Sequence, residues 1–411
     1  MVVPAGRVTD WISLGVLASW VSRDAVDEAI EATGRGAKRS DGTIPPHVVV
    51  YFVMALALFA DEDYEEVAAR LAGVLGDWGA GWEPTASGLA QARKRLGPEP
   101  MAVLYSQVAR PVAEEDTEGA FFGRWRLMSL DAMVVDAERT AANVAAFGLP
   151  GTGEGVEAAL PQVRVVTVDE IASHAAVLAA FGPAGAGKAA GEQTLARTLY
   201  PRLQQDWLVT ADRNFFNWAD WCLADDTGAA LLWRVKADLR LPVLAALPDH
   251  SYLSVVIDPN IRGKARAALL DAATRQRPLA RDQARYVRVV EYDVPDRDGN
   301  GGHELFALVT NILDPREAPA VPLAGIYGQR WEHETGNGQV KTHLRGPGRV
   351  LRSKSPQLVE QEVWGYLLTH FAISALICTA ATAAGIDPDR IKFKRTVRLV
   401  RRRVGDPSFS P

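Results

Sequence analysis

Cysteine is nearly absent: Cys222 and Cys378 are the only two in 411 residues, and they stand far apart. That excludes a disulfide framework and a cysteine-rich zinc site, and it fits a reducing, cytoplasmic setting. Histidine is sparse too, and His333 and His343 lack the partners of a zinc-binding pattern. A surplus of positive charge is missing: 45 Lys and Arg against 50 Asp and Glu leave a net −5, which argues against a uniformly basic nucleic-acid coat. Residues 1–13 show no basic segment followed by an apolar one, so no secretory leader is expected. No internal repeat or low-complexity tract stands out. The apolar run 48–60 is too short to span a bilayer, which takes about 20 residues. The run 363–385 is long enough and has no Asp, Glu, Lys or Arg. It also holds His370, Ser374 and several Thr, between densely charged flanks, and reads as a buried core helix, so no membrane partner is expected.

What is present is an ordinary globular composition, 48% apolar and 23% charged, in a chain long enough for two or three structural units. Helical apolar spacing marks residues 13–33, 47–59, 64–75 and 87–96, so residues 1–112 are expected to form an all-helical N-terminal DNA-binding domain. The last two of these helices resemble a helix-turn-helix pair, with Thr85 or Ser87 as a cap. Arg93, Lys94 and Arg95 follow as residues that reach DNA or line the wet face of a bundle. From 113 to 411 the pattern changes. Short apolar runs at 127–130, 163–168, 174–181, 207–210 and 231–235, with a helix at 193–203, predict an α/β sheet. Residues 237–303, rich in Pro, Asp, Gly and β-branched residues with a strong turn at 296–302, predict a mainly β insertion. The sheet resumes at 304–310, a long helix begins near Leu323, and a basic helical part runs over 341–411. Charge gathers there: five Lys or Arg and no acid over 341–354, and eight with no acid over 390–403. Local basic surfaces matter more than net charge where a phosphate backbone is the partner.

Two acids, Asp131 and Asp212, each follow an apolar strand, and strand ends are where α/β folds present reactive groups. A third, Glu334, lies in Tyr327-Gly-Gln-Arg330-Trp-Glu-His-Glu334, with Lys341 downstream. At about 100° per residue, a helix would put Tyr327, Arg330, Glu334 and Lys341 within about 60° of one another. Core packing alone would not gather a ring, a carboxylate and two cations on one stripe. Three carboxylates suit two Mg²⁺ ions, with Mn²⁺ as a substitute, because such ions take hard oxygen ligands. A pair of such ions clamps an in-line displacement at phosphorus. Arg330 and Lys341 would hold neighbouring phosphates, and Tyr327 would pack on a sugar or contact a phosphate.

The spacing Tyr-x2-Arg-x3-Glu-x6-Lys matches the YREK signature of bacterial insertion-sequence DDE transposases of the IS-four group. Asp212-Arg213-Asn214-Phe215 resembles that group's second-aspartate motif. Asp131, with Asp136, Thr140 and Asn143, resembles the first-aspartate region, and the likeness extends from about residue 13 to 403. The resemblance implies an RNase H-like catalytic fold with a β insertion between the second aspartate and the glutamate. It implies Asp131, Asp212 and Glu334 as catalytic metal ligands, and Arg213 and Arg345 as DNA contacts beside Tyr327, Arg330 and Lys341. It further implies cleavage of transposon ends, often through a hairpin, and strand transfer within a homodimer. The DNA partners would be terminal inverted repeats and target duplex, in a nucleoid-associated setting.

The sequence departs from the pattern at Ala132, where the group usually has Gly, and at Gly336 and Gly338 inside the signature helix, which would kink it or let backbone approach DNA. Asp136 and Asp169 compete with Asp131 for the first position, and Asp131 is preferred because it directly follows the apolar run. His174 and Arg164 could support the site, His174 more simply as a hydrogen-bonded sheet histidine. Residues 182–188 fit the start of a phosphate-binding loop, but Ala189 replaces its hydroxyl residue. Trp207, Trp233 and Trp364 read as core, with a DNA contact through Arg234 and Lys236 beside Trp233 as the weaker alternative. Two alternatives stay open: a non-catalytic DNA-binding descendant, and another RNase H-like nuclease.

Overall fold

The apolar run at 127–130 is the middle of a twelve-residue strand around which the molecule is organised. The computed structural model describes residues 14–36, 44–73, 81–153, 156–185, 191–236, 239–295, 303–330, 336, 338–344, 346 and 348–404. Five helices come first: α1 (Arg23–Ala32), α2 (Pro46–Leu58), α3 (Tyr64–Gly73), α4 (Ala86–Leu96) and α5 (Glu99–Val108). Strands β1 (Phe121–Phe122) and β2 (Trp125–Asp136) follow, then α6 (Ala141–Phe147) and a separate hairpin of β3 (Gly151–Gly153) and β4 (Val156–Glu157). Next come β5 (Gln162–Glu170), β6 (Ala176–Pro183), α7 (Glu192–Ala196), β7 (Trp207–Ala211), α8 (Trp218–Asp225) and β8 (Ala230–Val235). The expected insertion supplies β9 (Ala245–Ala246), β10 (Tyr252–Ile257), α9 (Gly263–Thr274) and β11 (Ala284–Pro295), and leads into β12 (His303–Thr310). Helices α10 (Ala320–Gln329), α11 (Pro356–Ala384) and α12 (Phe393–Arg403) complete the described chain.

The fold is mixed α/β. One ten-stranded sheet runs β6-β5-β2-β7-β8-β12-β11-β10-β9, with β1 added beside β2. Strands β2, β7 and β8 are parallel, and their ladders are flanked on both sides by antiparallel pairs. The insertion therefore extends the main sheet through β12 and β11. It also contains α9, which the expectation of a mainly β segment lacks. In α9 only Ala273 is buried, so no apolar stripe advertises the helix; its Ala, Leu, Lys and Arg carry it by propensity. The turn expected at 296–302 and residues 186–188 of the loop-like stretch, with Ala189 after them, lie outside the described residues.

Helices cover both faces of the sheet. On one face, α7 and α8 pack against Met128, Leu130, Val209, Ala211 and Trp233. The other face is shared. Leu127, Leu208 and Leu232 pack under Leu323, Ile326 and Tyr327 of α10, whereas Met133, Val135, Val163 and Val165 pack under the helical bundle. That bundle merges the N-terminal helices with α11 in one core. Gly365 of α11 permits the closest approach, because a Cβ there would lie 2.8 Å from Val53 Cγ1 and 2.9 Å from the Val53 carbonyl oxygen. The stretch around residue 112 is tied down as well: the Val112 and Ala113 N–H groups both donate to Glu170 Oε2 at 3.0 Å. Helix α11 is long and apolar enough to cross a membrane, yet Leu368, Phe371, Ala372 and Ile373 are fully enclosed in this core.

Candidate active site

Register brings the two aspartates together. Asp131 does not end its strand as expected: β2 continues to Asp136, because β5 pairs with it through Asp136↔Gln162. What ends is the parallel neighbour. β7 stops at Ala211, opposite Leu130, so Asp212 follows directly and stands one step along, beside Asp131. Adjacent strands lie about 4.8 Å apart. Side chains alternate, so Leu127, Ser129 and Asp131 share a face with Leu208 and Thr210, the face that α10 covers. Continuing the β7–β8 ladder from Ala211↔Trp233 sets Arg234 next in the same row. Asp131 also lies between Leu127, which packs under α10, and Met133, which packs under the bundle. It occupies the seam between two helical layers, which leaves its side chain 20% exposed.

The signature helix reaches this row from above. Arg330, just past α10, approaches Asp131 Oδ2 at 3.6 Å. Tyr327 packs edge-on to Phe306, with ring centroids 6.3 Å apart, and the Arg234 guanidinium lies 3.6 Å from the centre of the Phe306 ring. Burial, reinforced by the Asp212 carboxylate and opposed by Arg330 and Arg234, holds the Tyr327 hydroxyl well above its usual range. It stays neutral. Tyr327 is only 3% exposed and belongs to the core under α10; the expected DNA contact is corrected to a wall of the site. The start of α10 is pinned by the insertion: Ala320 N–H donates to Asp249 Oδ2 at 2.9 Å, and the fully buried Arg288 donates to the Ala318 carbonyl at 2.6 Å.

Glu334 and Arg345 lie outside the described residues. Lys341 falls in a π-helical segment, Gln339–Leu344, which winds more slowly than an α-helix, so a single α-helical stripe does not extend to it. That segment is held by a buried relay. The Gln339 amide bonds His174 Nδ1 at 2.8 Å and His370 Nε2 at 3.1 Å, and His174 Nε2 lies 3.2 Å from Asp389. His174 is thus hydrogen-bonded, in the turn after β5 rather than within a strand. Asp169 is buried on the site face of β5, near Gly336, while Asp136 accepts a 2.8 Å bond from Gln162. Arg164 points to the opposite face and pairs with Glu192 at 2.6 Å, which corrects its supporting role. Trp207 and Trp233 are core, and Trp364 is half-buried against Tyr105 and Phe181.

Among the helical candidates, Lys94, Arg95 and, at the site, Arg213 are exposed. Arg93 is a correction. It is fully buried and donates to Gln361 Oε1 at 2.7 Å, Ser353 Oγ at 3.2 Å, the Leu358 carbonyl at 3.0 Å and the Tyr64 hydroxyl. Such a guanidinium cannot reach a phosphate. Sequence reasoning named Arg234 only as a weak DNA contact beside Trp233; its place next to Asp212 comes from the register of β8 on β7.

Residues 11–106 match the family described as insertion element 4 transposase, N-terminal. Over 371 residues the chain is 26% identical to the transposase InsG for insertion sequence element IS4 of Escherichia coli (strain K12), covering 87% of this chain and 76% of that one. Both matches point to transposases of the IS4 type. Among solved structures, the chain resembles one chain of a piggyBac transposase synaptic complex with hairpin DNA. The TM-score is 0.48 at 9% identity, over 96% of this chain and 80% of that one, too slight a likeness to support an argument.

Proposed function

We propose that this chain is an IS4-family transposase that cuts the ends of its element and joins them to target DNA at the row formed by Asp131, Asp212 and Arg234. The observation that carries the reading is the pairing of two half-exposed aspartates, Asp131 and Asp212, in neighbouring register on one face of the sheet, beside the Arg330 of the signature. The order β6-β5-β2-β7-β8, antiparallel then parallel, supports an RNase H-like core. The helices before residue 112 would bind the terminal repeats, with Lys94 and Arg95 available on the surface.

Asp131, Asp212 and Glu334 would hold two divalent ions. The two described donors fit such ions: both are carboxylates, both reach solvent, and hard oxygen ligands are what Mg²⁺ and Mn²⁺ take. Among the described residues alone no three-residue ligand group forms, as expected when the third donor, Glu334, is not among them. The bound ions would activate the attacking oxygen and stabilise the leaving oxygen at phosphorus. Arg330 and Arg234 flank the carboxylates and would neutralise phosphate charge beside the scissile bond. The neutral Tyr327 ring excludes water beneath them. A DNA strand would approach at the seam between α10 and the bundle, where Asp131 is partly exposed.

The test is cleavage of duplexes carrying the inverted repeats that flank the reading frame, with Mg²⁺ present. Asp131→Ala, Asp212→Ala and Glu334→Ala should each lower cleavage at least about a thousandfold, since metal-assisted charge stabilisation is worth several kcal/mol. Binding of the ends should survive. Undiminished cutting by all three variants, or cutting in full chelation, refutes the assignment.

A further inference from the structure

Helix α12 carries more exposed charge of one sign than any function assigned so far uses. Its residues Phe393, Val397 and Val400 are buried in the bundle core, joined by Val404 just beyond its end. At about 100° per residue these four fall within about 60° of arc. Arg395, Arg398 and Arg402 fall within another arc of about 60°, diametrically opposite, and Lys394 borders it. All four cations are exposed, and none forms an ion pair among the described residues. The acids that precede the helix are engaged elsewhere: Asp389 lies 3.2 Å from His174, and Asp387 accepts the Asp389 N–H at 2.8 Å. Like charges this close repel, so a folded surface that keeps them unpaired gains when a polyanion arrives.

The position of α12 identifies the polyanion. The helix packs against the Gln339–Leu344 segment that carries Lys341, and Phe393 stacks on His370 of the relay at a ring separation of 5.3 Å. The helix that carries the basic ridge is therefore a neighbour of the segment that ends the signature. A basic amphipathic helix can also bind an anionic membrane, but that requires a free apolar face. Here the apolar face is consumed by the core, and Leu399, 59% exposed, is the single large apolar residue of the helix left outside.

We infer that Lys394, Arg395, Arg398 and Arg402 form a sequence-independent ridge for the phosphate backbone of duplex DNA, continuing the DNA path away from Lys341. From Lys394 to Arg402 the helix rises about 12 Å, which spans three to four nucleotides of one strand at about 3.4 Å each. The inference rests on the proposed DNA reaction but not on its chemistry, so it is tested by binding in chelator, where no cutting occurs.

The experiment measures binding of the full chain to labelled duplexes across a salt series, for terminal-repeat and unrelated sequences. The variant carries Lys394→Gln, Arg395→Gln, Arg398→Gln and Arg402→Gln. A control carries Arg262→Gln, Lys264→Gln and Arg266→Gln, three exposed cations at the start of α9. Each lost phosphate contact lowers the slope of log K against log salt by about 0.9, so the ridge variant should lose between about 2 and 4 of slope, equally for both sequences. The control should keep its slope. A ridge variant with the wild-type slope overturns the inference, as does an equal fall in the control, which would assign the effect to net charge. Loss confined to the terminal repeat overturns it too. So does binding to anionic phosphatidylserine vesicles that is tighter than binding to DNA. Thermal unfolding and a second variant with Lys at the three arginines guard against misfolding; that variant should retain the slope.

Discussion

Helices α4 and α12 carry similar basic runs, Arg93-Lys94-Arg95 and Arg401-Arg402-Arg403, and each turns one cation toward the bundle, but to different depths. In α4 one cation of the three turns inward and becomes the hub of a buried polar cluster that joins Tyr64, Ser353, Gln361 and the Leu358 carbonyl. In α12 the core takes the aliphatic positions; Arg401 only reaches in to donate to the Leu58 carbonyl, while Arg395, Arg398 and Arg402 on the opposite arc face water. Charge count does not separate these fates. The phase of each residue relative to the buried stripe does, and so does the presence of acceptors where the side chain lands.

The comparison breaks first at Arg93. Arg93→Met should lower unfolding stability by about 3–5 kcal/mol in a denaturant titration, because it strands several buried acceptors, whereas Arg398→Met should change it by less than about 0.5 kcal/mol. Equal effects would dissolve the distinction. A smaller effect is expected at the cap of α4, where the Thr85 hydroxyl accepts the Gly88 N–H at 3.1 Å. Thr85→Ala should cost about 1 kcal/mol in the same titration. Smallest in stability is the pair Lys94→Gln with Arg95→Gln, expected within about 0.5 kcal/mol of wild type. If those side chains contact the ends, the double variant should also lower the salt slope of end binding by about 1 to 2. An unchanged slope would assign them to the solvated face of the bundle.

Much of the sheet was legible because its central strands are buried on both faces and read as continuous apolar runs, as at 163–168 and 207–210. Asp212 was legible for the same reason, since it comes where such a run stops. Asp131 was found by a partly mistaken argument: the apolar run stops there, but the strand does not. Polarity enters at the seam, where neither helical layer covers the residue. Arg234 was legible only as a cation beside Trp233, because its relation to Asp212 exists only through β7–β8 register. Arg93 defeated the local pattern because its partners at 353–361 are more than 250 residues away. The stripe from Tyr327 to Lys341 assumed one α-helix, and the π-helical turn at Gln339–Leu344 breaks that periodicity.

The contact at Gly365 bears on how a cut site would be chosen. With Val53 pressed on a bare backbone position, α2 and α11 have no slack between them, and the N-terminal helices cannot swing on a tether relative to the sheet. Should those helices grip the end of the element, the distance from grip to blade would be a dimension of one solid body. The chain would then work as a calliper, selecting the bond to break by its own fixed span; adding a methyl group at Gly365 is the smallest change that would spoil the gauge.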